Sequence, residues 1–265
     1  MAAKYERVAE NIRHQIKTGR LSAGDQLPPE TTLAGDHKVS VSVIRQAMGV
    51  LRAEGLIESQ HGIGTFVRAP RQKVRRESAR HQWEKDRART AEAERRTTGA
   101  TERDTGLSID DLEFSANYQI VKADKRIASI FDIPTGTKLL RREYRTQLRA
   151  EGSPLNLSTS YLVHDIVSEN PKLLDAKNEP WPGGTQHQLY TIGIEVDKII
   201  ESVTTRPPNT NEMEELDLSP GVAVFVVHKQ TIDTSGRTVE YSDVILPGDR
   251  TELVFETKLT RWDKR

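Results

Sequence analysis

Leu21–Val67 reads LSAGDQLPPETTLAGDHKVSVSVIRQAMGVLRAEGLIESQHGIGTFV, and this stretch decides the fold of the N-terminal part. Leu27-Pro28-Pro29-Glu30 opens a helix, because proline is tolerated in a first turn and Glu30 complements the helix dipole there. Leu33 and Ala34 face inward, and Gly35–Lys38 forms a turn. Ser40 stands at an N-cap position, and Val41–Glu54 is the next helix, its buried stripe Ile44, Ala47, Met48 and Leu51. Gly55 ends it. Ile57–Gln60 and Thr65–Arg68 read as short strands around the glycine-rich tip His61-Gly62-Ile63-Gly64. Working outward, Tyr5, Val8, Ile12 and Ile16 recur at helical spacing, so an amphipathic helix of about four turns precedes the stretch. Gly19 stands where a left-handed C-cap is wanted.

Two short helices joined by a tight turn and followed by a β-hairpin point to a winged helix-turn-helix. In that geometry the second helix of the motif lies in the major groove and presents its N-terminal residues to base edges. Here these are Ser40, Val41, Ser42 and Arg45, with Gln46 beside them. Arg45 lies opposite the core stripe, where it can bond guanine, touch a phosphate, or stand as a solvated arginine.

The same residues resemble the DNA-binding domain of the GntR family of bacterial transcription regulators. The shared positions are Gly24, Leu27-Pro28, Glu30, Leu33-Ala34, Val39-Ser40, Arg45, Ala47, Leu51, Glu54-Gly55-Leu56-Ile57, Gly62 and Gly64-Thr65-Phe66-Val67. Many members of that family carry arginine after the glutamate and after the V-S pair, where this chain has Thr31 and Val41. The resemblance implies a DNA-binding set of Thr31, Ser40, Val41, Ser42, Arg45, Gln46, His61, Gly62 and Gly64. Val41 would touch a thymine methyl in place of the missing arginine's contact. His61 and Gly62 would approach the minor groove, the alternative for His61 being a plain turn residue.

At 265 residues the chain has length for two ordinary domains. It has no apolar run long enough for a bilayer, and MAAKYERVAE is not a signal peptide, so a cytoplasmic, nucleoid-associated protein without membrane contact is expected. There is no cysteine, which excludes disulfides and thiolate metal sites. The formal net charge is zero, but it is unevenly placed. Residues 1–70 carry nine basic and seven acidic side chains, residues 71–106 eleven and seven, and the remainder nineteen and twenty-five. A modestly basic head on an acidic body suits local attraction to phosphates. Residues 71–106 are poor in apolar side chains and read as a charged, solvated linker. Glu77–Arg96 within it could be helical but lacks an apolar stripe, and Trp83 is the linker's lone aromatic.

Beyond Asp111 a repeat is visible. A short helix (Lys125–Phe131), a strand-like run (Lys138–Arg149), the turn Gly152-Ser153-Pro154 and a second run (Leu155–Val163) make one half. Thr210–Leu216, Ala223–Asp233, Gly236-Arg237-Thr238 and Val239–Leu246 make the other. Asn209 and Glu212 form a capping-box pair. The halves predict one antiparallel sheet with helices on one side, an α+β layout. This part resembles the UTRA effector-binding domain of the HutC subfamily, which has a chorismate-lyase-like fold, over roughly Leu107–Arg261. The matching positions include Leu139-Leu140-Arg141-Arg142, Gly152, Pro154, Ser160-Tyr161-Leu162, Gly184-Thr185, Val239-Glu240 and Gly248-Asp249-Arg250. The resemblance implies a domain plan of 1–70 (DNA-binding head), 71–106 (linker) and 107–265 (effector-binding and dimerisation). It also implies a small-molecule pocket over the sheet with Arg142 or Arg145 as cations, Thr185 as an anion contact, and Ser158 and Glu240 on the polar wall. The plainer alternatives are surface arginines paired with acids, a cross-strand glutamate and a helix cap. Some sugar-phosphate-sensing members carry glutamate at the position of Ser158 and tyrosine at that of Leu246.

The expected protein is therefore a homodimeric repressor of a palindromic double-stranded DNA operator, controlled by an effector and needing no cofactor or metal. A constitutive plasmid or mobile-element regulator is the alternative. An enzyme of lyase-like fold is a third reading, but the seven histidines are scattered and no acid–base or nucleophile–base pair has persuasive spacing.

Overall fold

A computed structural model describes residues 3–60, 62–150, 152 and 154–259. Its chain divides into two compact units. One comprises residues 1–72, 205–224 and 247–250, the other residues 73–204, 225–246 and 251–265.

In the first unit, α1 (Lys4–Lys17), α2 (Glu30–Asp36) and α3 (Val41–Ala53) precede the antiparallel hairpin β1 (Ile57–Gln60) and β2 (Gly64–Val67). Val8, Ile12, Leu33, Ile44, Met48 and Leu51 share one core, so the apolar stripes read from the sequence meet as expected. Gly19 and Gly55 both have left-handed backbones. Ser40 holds the N-cap position of α3 with extended backbone, but it caps nothing with its side chain. Its Oγ instead pairs with Ser42 Oγ at 2.8 Å. A third extended segment joins the hairpin, with Gln26 bridging Phe66 and the Leu27 amide donating to the Thr65 carbonyl at 2.8 Å.

The same unit contains α10 (Thr210–Glu215), whose expected capping box is present. The Glu212 amide donates to Asn209 Oδ1 and the Asn209 amide to Glu212 Oε2, each at 2.9 Å. Arg68, its side chain 8% exposed, ion-pairs Asp217 at 3.1 Å and Asp249 at 3.7 Å.

The second unit is built on a six-stranded antiparallel sheet of β4 (Leu112–Lys122), β5 (Lys138–Leu148), β6 (Pro154–Val163), β7 (Val196–Arg206), β8 (Val224–Asp233) and β9 (Thr238–Pro247). Its order is β4-β5-β6-β9-β8-β7. The order reads as two mirrored triplets, so the repeat is strand, helix, strand, strand. The leading strands β4 and β7 escaped the sequence reading because they lie at the sheet edges and carry charged residues between their apolar ones.

Helices lie on both faces of this sheet, which corrects the one-sided expectation. Ile127 and Phe131 of α7 (Lys125–Phe131) pack with Leu139 and Tyr241. Val167 of α8 (His164–Val167) and Leu189 of α9 (Gly184–Tyr190) pack with Leu140 and Leu162. Leu139 and Leu140 are neighbours on one strand, and neighbours point to opposite faces.

The stretch expected to be a solvated linker is folded. It contains β3 (Val74–Glu77), α4 (Arg80–Arg87), α5 (Glu92–Arg95) and α6 (Ala100–Thr105), and β3 pairs in parallel with β10 (Thr251–Val254). Val74 and Ala88 are buried, and so is Asp104, which ion-pairs Arg80. Apolar periodicity could not reveal this, because the stretch is anchored by ion pairs and one strand pairing rather than by an apolar stripe.

Candidate functional site

The exposed residues of α3 are Ser42, Arg45, Gln46 and Gly49, spaced so that they form one stripe along the helix. Arg45 has 69% of its side chain exposed and its Nε donates to Glu30 Oε2 at 2.7 Å. A surface pair of this kind contributes about 0–1 kcal/mol, so Glu30 orients Arg45 without committing it. Ser40 and Thr31 are exposed beside the stripe. Val41 is half-buried against the head core and so offers less surface to a base than expected. A helix begun at residue 41 turns that side chain toward the same side as Ile44.

At the wing, Gly62 is exposed with φ +74° and Ile63 is 66% exposed. Gly64 has φ +153°, and a Cβ there would stand 2.4 Å from Gln26 Nε2, which itself donates to the Ile63 carbonyl at 3.0 Å. That close approach explains the glycine. His61 lies outside the described residues. Gln26 and Ile63 were missed by the sequence reading; an isoleucine between two hairpin glycines was the available signal.

The second unit encloses a cavity of about 900 Å³ whose floor takes side chains from all six strands. That volume falls within the range of small-molecule sites, roughly 300–1,000 Å³. Strand register explains the floor. Tyr144 lies opposite Ser158, and Arg142 opposite Ser160, which in turn lies opposite Ser242. Alternate residues therefore gather hydroxyls on one face.

Four of the five expected effector residues are brought together here. Ser158, Thr185 and Glu240 line the cavity, and Arg142 lies directly behind them. Arg145 is not brought in. It is odd-numbered on β5 and points with Arg141 and Glu143 to the other face, away from Tyr144 and Thr146.

Arg142 is only 1% exposed, and its guanidinium is fully engaged. It donates to Ser160 Oγ at 2.8 Å, Gln188 Oε1 at 2.6 Å, Thr185 Oγ1 at 3.3 Å and Glu240 Oε1 at 3.0 Å. Glu240 also accepts from Thr231 Oγ1 at 3.1 Å and pairs with Lys229 at 3.0 Å. Burial works to raise the Glu240 pKa, but Lys229 and Arg142 outweigh it and hold the carboxyl at about 2. Glu179 accepts from Tyr144 OH at 3.0 Å, Gln188 Nε2 at 2.9 Å and the Trp181 amide at 2.6 Å, and also from Tyr118 OH. Burial, with Glu179 alongside, pushes Tyr118 up to about 12, so it stays a donor.

The roof comes from the folded connector, which sequence reasoning had set aside. Arg76 pairs with Glu201 at 2.7 Å. His81 sits between Glu201 at 3.2 Å and Glu84 at 3.7 Å; burial works to lower its pKa, but the two carboxylates raise it overall. Trp83 lies within 5.0 Å of the Arg87 and Arg103 guanidinium carbons. Arg80, Trp83, Glu84 and Arg87 fall one turn apart on α4, a polar helical stripe that was the missed signal.

Among the described residues no helix is long and apolar enough to cross a membrane, and no cluster of metal-ligating side chains occurs.

Both parts of the chain have counterparts among known proteins. Residues 4–67 match the bacterial regulatory proteins of the gntR family, and residues 115–252 match the UTRA domain. An uncharacterized HTH-type transcriptional regulator of Streptomyces coelicolor is 28% identical over 260 residues, covering 97% of this chain and 94% of the relative. The HTH-type transcriptional repressor NagR of Bacillus subtilis is 22% identical over 250 residues, covering 94% and 93%. A crystal structure of a GntR-family transcriptional regulator superposes with TM-score 0.64 at 26% identity, covering 97% of this chain and 98% of that one. These relatives are regulators of transcription rather than enzymes. The chain belongs to the GntR family of bacterial regulatory proteins, as a DNA-binding transcription regulator with a helix-turn-helix head and a UTRA domain.

Proposed function

We propose that this regulator is a repressor of the HutC type. As a homodimer in the cytoplasm, at the nucleoid, it binds a palindromic operator. Residues 1–70 read the DNA, and residues 107–265 bind the effector and dimerise. Arg45, Gln46, Ser42 and Ser40 contact the major groove, with Thr31 beside them and the glycines of the wing approaching the minor groove. A small molecule in the UTRA cavity weakens operator binding.

The reading rests on one observation above all. A cavity of about 900 Å³ with convergent polar groups stands in the same chain as a head whose reading stripe is exposed. A neutral overall charge with a basic head also fits a site-specific binder better than a general nucleic-acid coat. The name of the Bacillus subtilis relative, a repressor, supports the sign of control.

The test is selection of bound genomic fragments followed by footprinting at two salt concentrations. A protected palindrome with half-sites about one helical turn apart or closer is expected. Effector and operator must then weaken each other by the same factor. Independent affinities would leave a constitutive DNA-binding protein instead.

A further inference from the structure

The wing of the head carries no cation. Residues 57–67, which form β1, the tip and β2, contain no lysine or arginine and a single carboxylate, Glu58. A hairpin of that composition gains little from neutralising phosphates, the contribution that supplies most non-specific affinity for DNA. What it presents instead is apolar. Ile63 is 66% exposed, and among the described residues 3–72 no other large hydrophobic side chain is exposed.

Ile63 is also held in place. Its amide donates to the Gln60 carbonyl at 3.0 Å, and its carbonyl accepts from Gln26 Nε2 at 3.0 Å, so both backbone groups are engaged within the head. Gln26 is itself fixed by its bridge to Phe66. Only the side chain of Ile63 is left to meet a partner, and a β-branched side chain has few rotamers to lose when it does so. Arg52, in the last turn of α3, donates from Nε to Ser59 Oγ at 3.0 Å and ties β1 to that helix. The tip therefore keeps a fixed place beside the exposed stripe of α3.

An apolar side chain distinguishes base pairs in the minor groove by what stands on the groove floor. A·T and T·A pairs leave its centre open, whereas G·C pairs place the guanine 2-amino group there. Ile63 laid on that group competes with it for space and leaves its N–H without an acceptor, which is costly.

We propose that Ile63 is a specificity-determining residue, which packs into the minor groove beside the contacts of α3 and excludes G·C pairs there. This rests on reading residues 1–70 as the operator-binding head with its wing at the minor groove. It adds the base pair that the wing selects, and a contact that contributes nothing to the salt dependence of binding.

The experiment selects bound duplexes from a random-sequence pool with the full chain. The wing is then located with Ile63→Cys carrying an iron–EDTA probe, its thiol unique because the chain has no cysteine. Cleavage should fall in the minor groove beside each half-site, and the selected duplexes should hold A·T there. Replacing that pair by G·C should weaken binding about tenfold or more, whereas inosine·cytosine, which lacks the 2-amino group, should bind within about twofold of A·T. Ile63→Ala should reduce the preference to about twofold or less and leave the salt slope unchanged. Ile63→Lys should lose the preference and steepen the slope by about one for each wing.

Inosine·cytosine binding as weakly as G·C, an Ile63→Ala protein that keeps the full preference, selected duplexes without A·T at the cleaved position, or cleavage outside the minor groove would each overturn the proposal. The repressor reading fails on different results. A bound site that is not palindromic, or an operator affinity independent of any effector, removes that reading and leaves the minor-groove preference standing. A palindromic, effector-released site indifferent to the base pair at the wing does the reverse, and a pool with no enriched sequence removes both.

Discussion

Arg45 is the residue on which DNA reading turns. It projects from the exposed stripe of α3, and its partner Glu30 is one the operator can outcompete. Arg45→Ala should lower operator affinity by roughly 1–3 kcal/mol, with the circular dichroism of the head unchanged. Salt titration distinguishes its contact. A phosphate contact reduces the salt slope by about one when Arg45 is removed, whereas a base contact leaves the slope and relaxes preference at one base pair. Glu240 governs stability instead of reading. Glu240→Gln leaves buried Arg142 and half-buried Lys229 beside a neutral amide and should cost about 3–5 kcal/mol near neutral pH. Because its folded pKa lies below the unfolded value, the wild-type advantage is present above about pH 4.5. It is lost as pH falls through about 2. Urea unfolding of the two proteins at pH 7 and pH 3 should therefore show their difference shrinking with acid; a constant difference contradicts the ion-pair account.

At the scale of elements, the legible parts were those whose signal is local. The helices of the head, the hairpin, the capping box at Asn209 and Glu212 and four of the six strands follow from periodicity, glycines and caps. The connector was illegible because its stripe is polar and its anchors, Glu201 for Arg76 and β10 for β3, are more than a hundred residues away. The entry to α9 illustrates how such contacts constrain one residue. Gly183 has φ +94°, and a Cβ there would stand 2.6 Å from Arg95 Cδ and 2.8 Å from His187 Cβ. Gly183→Ala should destabilise the chain by about 1–3 kcal/mol through backbone strain alone. Calorimetry should record a fall of several degrees in the second unit's transition, and an unchanged transition would contradict the strain account of Gly183.

For the whole molecule, the chain's path matters as much as its elements. Segments 205–224 and 247–250, far along the sequence, fold into the same compact unit as the head. Arg68 joins them through Asp217, Ser219 and Asp249. Arg68→Ala leaves buried Asp249 with one fewer cation and should destabilise that unit by roughly 3 kcal/mol. Hydrogen exchange should report this as faster exchange in α10 and in the β1–β2 hairpin together. Faster exchange in the hairpin alone would mean that the two segments do not share a cooperative unit.

By itself, the sequence determined the head, the repeat that builds the sheet, and the family to which both belong. Those features depend on residues one to eight positions apart, where helix and strand periodicity and turn chemistry act. Tertiary structure alone decided which face of β5 looks into the cavity, and so that Arg142 enters the site while Arg145 does not. It also decided that Arg142 is neutralised by Glu240, 98 positions away, and that a charged stretch without an apolar stripe becomes the roof. The physical reason is that charge pairing and strand register are settled by whichever partner the fold brings close, and no local pattern of side chains encodes that partner.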